Sequence, residues 1–209
     1  MRISTTTLES YRLFMEPDQE WMSEQDLIDS ILGVWKPNHK VELGSAFGLV
    51  LEDPDRYAIP GGFQCGAFQF GRDVIEPCLA LIDRRGVFEA KASRDYGGID
   101  VVAKADHLLG SHLSEFKTTL SSFDVTKYLD SYQWRFMADI FVPSKITYHV
   151  FCLAEATNGV IELKSIESFN LWPYAACHED CVVLLDEFVG YVRLRGLDAH
   201  LRQKQVDAA

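Results

Sequence analysis

The segment IDVVAKADHLLGSHLSEFKTT, residues 99–119, holds two runs of alternating apolar and polar residues on either side of a glycine. Such alternation is typical of half-buried β-strands, and it predicts strands from Ile99 to Ala105 and from Leu113 to Thr118. Leu109-Gly110-Ser111 is the predicted reversal between them, because glycine adopts backbone angles that other residues resist. The same alternation at Val87 to Ala92 predicts an earlier strand. The whole stretch therefore indicates a meander of three strands.

Charged residues are spaced along this meander so that they meet. Side chains alternate between the two faces of a strand, so Glu115 and Lys117 share one face while Phe116 points toward the core. Asp106 follows the middle strand and is expected opposite Glu115 across the hairpin, and Glu89 reaches the same place from the strand before it. Three carboxylates without a countercharge repel one another and retain protons, whereas a hard dication removes this conflict.

This pattern predicts a Mg²⁺ site formed by oxygen atoms. The predicted ligands are the side chains of Asp106, Glu115 and Glu89 and the main-chain carbonyl of Phe116. Lys117 beside the cation is suited to hold an attacking water and to offset charge that builds on phosphorus. On its own, a Glu-x-Lys pair on a strand is usually a solvated ion pair, so the specificity lies in the ordered set. The predicted chemistry is metal-assisted hydrolysis of a phosphodiester.

The ordered set resembles the PD-(D/E)XK nuclease superfamily, especially its RecB-like and phage-exonuclease-like branches. The similarity covers roughly Leu43 to Phe141 and is strongest from Asp106 onward. It implies that Asp106 is the first aspartate of the motif, Glu115 its acidic partner and Lys117 its lysine. Glu89 resembles the additional upstream acid. The resemblance implies that these residues carry the catalysis with Mg²⁺ or Mn²⁺ as cofactor.

Two predicted helices extend the resemblance. Gln133, on the helix after the third strand, is similar to the glutamine of the Gln-x-x-x-Tyr motif, with Phe136 or Met137 near the place of the tyrosine. The resemblance implies that this glutamine orients water or substrate. Residues Gly44 to Glu52 resemble the first helix of the branch.

The sequence departs from the family pattern at one position and is ambiguous at another. RecB-like enzymes often carry a metal-binding histidine where this chain has Gly48, so a metal contact from this helix would come from Glu42 or Glu52, or be missing. Gly97-Gly-Ile-Asp100 also resembles the Gly-x-x-Asp sequence in which the family's motif aspartate occurs. Asp106 is preferred, because its shorter loop to the next strand closes a tight hairpin.

Two functions from different classes follow. The first is a metal-dependent deoxyribonuclease that hydrolyses phosphodiester bonds, an exonuclease of phage-type recombination or repair acting on DNA ends or single strands. The second is a catalytically silent protein of the same fold that acts as a nucleic-acid-binding or assembly module. Gly48 and a net charge of −11 motivate this second hypothesis.

The acidic charge bears on how DNA would be held. DNA affinity comes largely from neutralising phosphates with lysine and arginine, so an acidic chain is expected to bind DNA weakly. Weak intrinsic binding suggests help from a recombination or replication partner protein, or a homo-oligomer that encircles DNA. The candidate residues for a local basic track are Arg84, Arg85, Lys91, Arg94 and Lys104.

The remaining segments predict an α/β fold with a mixed central β-sheet flanked by helices. The predicted helices run from Thr6 to Phe14, Ser23 to Leu32, Asp73 to Arg84 and Val182 to Leu194. Two further strands, Lys145 to Glu155 and Val160 to Phe169, are joined at Asn158-Gly159, a strong hairpin signal. Pro54 to Phe70 is rich in glycine and proline and predicts a loop over the site. We expect one nuclease-like domain over residues 1–209, with a core at roughly 43–141 and C-terminal strands and a helix at 145–200.

Length, composition and cysteine content indicate the cellular compartment of such a protein. A chain of 209 residues that is 47% hydrophobic can bury a substantial core. No apolar run approaches the roughly 18 residues of a membrane helix, and the first residues lack the apolar stretch of a secretion signal. Five cysteines, an odd number, favour buried free thiols. These features predict a cytoplasmic protein of a bacterial or phage-infected cell without membrane contact.

Overall fold

The computed structural model describes residues 1–16, 22–34, 36–156 and 159–203. Within these residues the helices are Thr5–Met15 (α1), Glu24–Leu32 (α2), His39–Glu52 (α3), Pro54–Tyr57 (α4), Arg72–Leu79 (α5), Thr126–Leu129 (α6), Tyr132–Phe141 (α7), Cys177–Leu194 (α8) and Asp198–Gln203 (α9). The strands are Arg2–Ser4 (β1), Ala58–Ile59 (β2), Gly62–Cys65 (β3), Phe68–Gly71 (β4), Val87–Asp95 (β5), Asp100–Leu109 (β6), His112–Thr119 (β7), Lys145–Glu155 (β8) and Ile161–Leu171 (β9).

The strands of the described chain form one mixed sheet. Its order is β1-β6-β7-β8-β9-β4-β3-β2, and β5 also pairs with β6. The pairs β1–β6, β7–β8 and β4–β9 are parallel, and the remaining pairs are antiparallel. The predicted fold class, α/β with a mixed central sheet flanked by helices, is confirmed.

One irregularity in this sheet positions the candidate site. β6 pairs with β7 only from His107 to Leu109, and with β1 only from Asp100 to Val102. Between these stretches the described part of β6 is in register with β5 but has no ladder partner on its other edge. β6 and β7 therefore diverge after the pair formed by His107 and Ser114, and we call this opening the strand split.

Helices cover both faces of the sheet. α3 and α5 pack on one face, where the ring of Phe47 lies 5.5 Å from that of Phe70 and 5.2 Å from that of Phe151. α7 and α8 pack on the other face, against residues that include Tyr148 and Leu113. Each large apolar side chain that is buried contributes about 1.5–3 kcal/mol. β8 contributes Phe151 to one layer and Tyr148 to the other, so it anchors both.

Most of the predicted elements are confirmed. Ser23 caps α2 in a capping box with Asp26, as the spacing of the two residues indicates. Gly110 forms the reversal between β6 and β7 with φ at 61°. The predicted helices and strands differ from the observed ones mainly at their ends. Asn158, half of the predicted hairpin signal between β8 and β9, lies outside the described residues.

The prediction of a loop from Pro54 to Phe70 is wrong. The segment holds α4 and the strands β2, β3 and β4. Phe63 and Cys65 are both buried, with an exposed residue between them, which is the period of a strand. Gly66 turns the chain with φ at 59° between β3 and β4. The glycines here mark tight turns between short strands, so their number does not indicate a long loop.

The sequence does not predict β1, because a strand of three residues is too short to show an alternation of apolar and polar side chains. It forms through a parallel pairing of Arg2–Ser4 with Asp100–Val102, far along the chain. Among the described residues, no helix combines the length and apolar character needed to cross a membrane.

Candidate active site

Two carboxylates close the strand split by bonding to the opposite backbone. Glu115 Oε1 accepts a hydrogen bond from the main-chain N–H of Asp106 at 3.1 Å. Asp106 Oδ2 accepts one from the N–H of Phe116 at 2.7 Å. Asp106 and Glu115 would be the next pair after His107 and Ser114 if the ladder continued. The carboxylates thus replace backbone bonds that the diverging strands lose, and this exchange fixes both side chains in place.

Lys117 joins these carboxylates in one charged cluster. Its Nζ donates to Glu115 Oε2 at 2.9 Å and lies 5.9 Å from the centroid of the Tyr148 ring. Glu115 is 0% exposed, whereas 28% of the Lys117 side chain is exposed. Lys117 is therefore the member of this ion pair that has solvent-exposed surface. No pattern in the sequence indicates that Glu115 is buried, because its burial depends on contacts with residues far along the chain.

Burial sets the protonation behaviour of the cluster. It raises the pKa of Glu115 to about 7, the charge of Asp106 adds to this increase, and Lys117 opposes it. Burial alone would lower the pKa of the Lys117 ammonium, but the charges of Glu115 and Asp106 raise it above its ordinary value. Two carboxylates therefore share one amine, and the cluster is short of positive charge.

The donor set fits a divalent cation that prefers oxygen. Asp106 and Glu115 are hard carboxylate donors on adjoining strands, and Mg²⁺ needs only one or two carboxylates because it keeps several waters. A buried carboxylate with a raised pKa also gains from a second positive charge beside it. Among the described residues, however, no group of three His, Cys, Asp or Glu side chains is arranged to share one metal ion.

A cleft of about 720 Å³ opens on the α3 side of the cluster. It is lined by residues that include Gly44, Gly48, Glu52, Glu89, Lys104, Asp106 and Lys117. A Cβ atom at Gly44 would lie 2.8 Å from Thr118 Oγ1, so this glycine permits the close approach of α3 to β7. A Cβ atom at Gly48 would meet no atom within 4 Å. Gly48 therefore leaves open space in the wall of the cleft.

Glu89 lies at a local distortion of β5. The ladder pairs on either side of it are regular and place it opposite Asp106, but its φ of 54° takes it out of the ladder. A non-glycine residue in this left-handed region costs about 1–3 kcal/mol. Its carboxylate forms an ion pair with Lys104. The structure thus brings Glu89 into the cleft of Asp106, bound to a lysine.

Gln133 lies on the other side of Lys117. A second cleft, of about 530 Å³, is lined by Gln133 and by residues of α1, and Lys117 lines both clefts. Glu9 of α1 accepts hydrogen bonds from the main-chain N–H groups of Tyr132 at 2.7 Å and of Gln133 at 3.2 Å. This contact fixes the start of α7. No sequence pattern indicates this role of Glu9, because its partners lie far along the chain.

The other predicted positions lie apart from the cluster. Asp100 is at the far end of β6, six positions from Asp106 or about 20 Å along a strand, and pairs with Arg2 at 3.5 Å. Phe136 and Met137 are fully buried. Glu42 is exposed and does not line the α3-side cleft.

Four of the five residues of the suggested basic track already have partners within the chain. Arg85, Arg94 and Lys104 form ion pairs with carboxylates. Arg84 donates to the carbonyls of the last two residues of α3 at 2.6 and 2.8 Å and so fixes the end of that helix. Lys91 is exposed on β5.

The fold is that of known exonucleases. No protein-family model and no curated protein matches the chain. An alkaline exonuclease from Laribacter hongkongensis, LHK-Exo, superimposes with a TM-score of 0.51 at 12% identity, covering 100% of this chain and 95% of that one. A second structure of LHK-Exo holds dAMP. A putative exonuclease from Eubacterium rectale gives a TM-score of 0.52 at 10% identity, covering 95% of this chain and 82% of that one.

These matches share the nuclease fold that the sequence motifs indicate. The resemblance to the PD-(D/E)XK superfamily is therefore confirmed at the level of the fold.

The raised pKa of Glu115 predicts a pH-dependent difference between the wild type and Glu115→Gln. Between about pH 4.5 and 7 the folded protein keeps a proton that the unfolded chain has released, so rising pH lowers the free energy of unfolding of the wild type. Relative to Glu115→Gln, this loss is expected to be on the order of 3 kcal/mol without divalent metal. Chemical denaturation at several pH values measures it.

The comparison with Glu115→Gln removes contributions that both proteins share. Burial lowers the pKa of His112 and of His149, which makes both proteins more stable as pH rises through the same range. A constant difference between the two proteins from pH 4.5 to 8 would mean that Glu115 is not the titrating group.

The backbone of Glu89 predicts an unusual response to glycine. Glu89→Gly relieves the left-handed strain, whereas Ser93→Gly, at a regular and exposed position of the same strand, only loosens the strand. The free energy of unfolding of Glu89→Gly is expected to exceed that of Ser93→Gly by about 1–2 kcal/mol. Equal losses in urea denaturation would show that Glu89 is unstrained.

Proposed function

We propose that this chain is a metal-dependent nuclease that hydrolyses phosphodiester bonds of DNA. The observation that carries the proposal is the cluster at the strand split, where Asp106, Glu115 and Lys117 are joined by hydrogen bonds between 2.7 and 3.1 Å. The match to exonuclease folds supports the same reaction class. We further propose that residues 1–209 form one domain, because β1 and β9, the first and last strands of the described chain, belong to one sheet.

Each residue of the cluster has a separate role in this proposal. Asp106 and Glu115 would hold Mg²⁺ or Mn²⁺, together with the carbonyl of Phe116, and Glu89 would complete the site from β5. When bound, the cation supplies Lewis-acid stabilisation of charge on the phosphate and acidifies water. The Lys117 ammonium donates hydrogen bonds, which suits it to orient the attacking water and to offset charge on the phosphate oxygens.

Both clefts that Lys117 lines are candidates for holding the DNA strand. The α3-side cleft carries the carboxylates and the second cleft carries Gln133, so this glutamine acts on water or substrate from the side opposite Glu89. We propose exonuclease action on DNA ends or single strands, in recombination or repair, and the match of the fold to solved exonucleases supports this. A partner protein or a homo-oligomer would compensate for the net charge of −11.

A catalytically silent module remains the alternative, and two observations favour it. Gly48 supplies no side chain to the cleft, and Glu89 is engaged with Lys104. Calorimetric titration of Mn²⁺ separates the two functions. A nuclease takes up Mn²⁺ in the wild type and loses uptake in Asp106→Asn, whereas a silent module takes up none in either.

Cleavage of end-labelled linear DNA with Mg²⁺ or Mn²⁺ tests the proposed activity. Asp106→Asn and Lys117→Met are each expected to lower the cleavage rate by at least about 100-fold, because the first removes a charged metal ligand and the second removes the ammonium that offsets charge on the phosphate. Closed circular DNA is expected to resist cleavage if the action is exonucleolytic.

Asp100→Asn is the matched control for this assay. It makes the same chemical change at the other candidate aspartate, which pairs with Arg2 at the far end of β6. It should retain nearly the full rate. The assignment of Asp106 fails if Asp100→Asn is inactive and Asp106→Asn is active.

The open space at Gly48 predicts a gain of metal affinity on substitution. Gly48→His should fold, because no atom lies within 4 Å of the new Cβ, and its imidazole would face the cleft. We expect Mn²⁺ to bind roughly tenfold more tightly, equivalent to about 1.4 kcal/mol. Calorimetry measures this, with Gly190→His as control, since Gly190 is also a helical glycine with open space but lies on α8. Equal Mn²⁺ affinity of wild type and Gly48→His would place the cation away from α3.

A further inference from the structure

Two lysines face each other beside the α3-side cleft. Lys91 of β5 and Lys104 of β6 are directly opposite in the ladder, so both side chains leave the same face of the sheet. Like charges at such positions destabilise an antiparallel pair of strands. Lys104 lies two residues before Asp106 and lines the same cleft. The chain thus places two positive charges next to the carboxylate cluster, at a cost to the folded state.

Glu89 stands between this lysine pair and the cluster. Its position on β5 is opposite Asp106, and its carboxylate binds Lys104 on the neighbouring pair. Both side chains of this ion pair are nearly half exposed, at 41% for Glu89 and 48% for Lys104. An exposed ion pair of this kind is weak, so a stronger partner for either side chain displaces the other. The backbone of Glu89 is in the left-handed region, a conformation that persists only when the surrounding structure holds it.

We propose that Glu89 exchanges partners, and that Lys104 and Lys91 bind a phosphate of the DNA strand next to the phosphate that is cleaved. Without a divalent cation, Glu89 neutralises Lys104. When Asp106 and Glu115 hold a cation, the carboxylate of Glu89 turns to that charge and releases Lys104, which then shares a backbone phosphate with Lys91. The cation and the DNA strand in this inference rest on the proposed function.

The exchange couples metal binding to DNA binding. A carboxylate that leaves Lys104 for the cation adds to metal affinity and at the same time frees a lysine for phosphate, so each ligand favours the other. The side chain of Glu89 alone links metal binding to DNA binding. DNA affinity of the metal-free protein should therefore rise if Glu89 is replaced by a neutral residue, and the gain should depend on Lys104.

Fluorescence anisotropy with a labelled single-stranded oligothymidylate tests this over a range of KCl concentrations. Each variant is measured once in EDTA and once in Ca²⁺, with a gel to verify that the oligonucleotide stays intact. The variants are Glu89→Gln, Lys104→Ala and the double variant. Glu162→Gln and Lys164→Ala are the controls, because these residues form an ion pair of the same type and similar exposure on β9.

We expect the variants to differ in oligonucleotide affinity between EDTA and Ca²⁺. Glu89→Gln binds roughly tenfold more tightly than wild type in EDTA, and the double variant loses this gain. Lys104→Ala weakens binding roughly tenfold in Ca²⁺ and lowers the salt slope by about 1, but stays near wild type in EDTA. The variants on β9 change neither value.

Two results would overturn the exchange. One is an unchanged affinity of Glu89→Gln in EDTA, or a gain that survives in the double variant. The other is an equal loss for Lys104→Ala in EDTA and in Ca²⁺, which would make Lys104 a permanent contact. A wild type that cleaves DNA while either result appears overturns this inference alone. A wild type that neither cleaves nor binds the oligonucleotide overturns the proposed function as well.

Discussion

The exchange of hydrogen bonds between two carboxylates and the backbone at the strand split is the constraint on which the site depends. Strands that diverge leave main-chain N–H groups without ladder partners, and an unpaired buried donor costs about 1–3 kcal/mol. Asp106 and Glu115 satisfy two of these donors, those of Phe116 and Asp106. The same bonds that complete the sheet therefore hold two carboxylates side by side. Stability and the proposed function therefore depend on the same atoms.

Lys117 links the buried carboxylate of Glu115 to the protein surface. It binds the buried Glu115 and lines both clefts, so its side chain is accessible from either side. The clefts differ in what else they offer. One holds Glu89 and Lys104 and the other holds Gln133, which divides the candidate machinery between the two faces of the sheet. An acidic chain gains from this arrangement, because local placement of a few cations matters more than the sum of charges.

The meander was predictable from sequence because its signals are local. The reversal at Gly110 and the alternation around Asp106 and Glu115 depend on neighbouring residues, and the structure follows them. The burial of Glu115, the pairing of β1 and the contact of Glu9 with α7 depend on residues far along the chain, so no pattern of spacing indicates them. The family resemblance placed Gln133 near the carboxylates in general terms, whereas the cleft that it lines beside α1 is evident only from the structure.

Anomalous diffraction from a crystal soaked in Mn²⁺ tests the central claim most directly. The account predicts one strong peak at the strand split, within about 2–2.5 Å of one oxygen each of Asp106 and Glu115, with Glu89 turned from Lys104 toward it. A fully soaked crystal with no peak there, or with its peak at Asp100 instead, would contradict it.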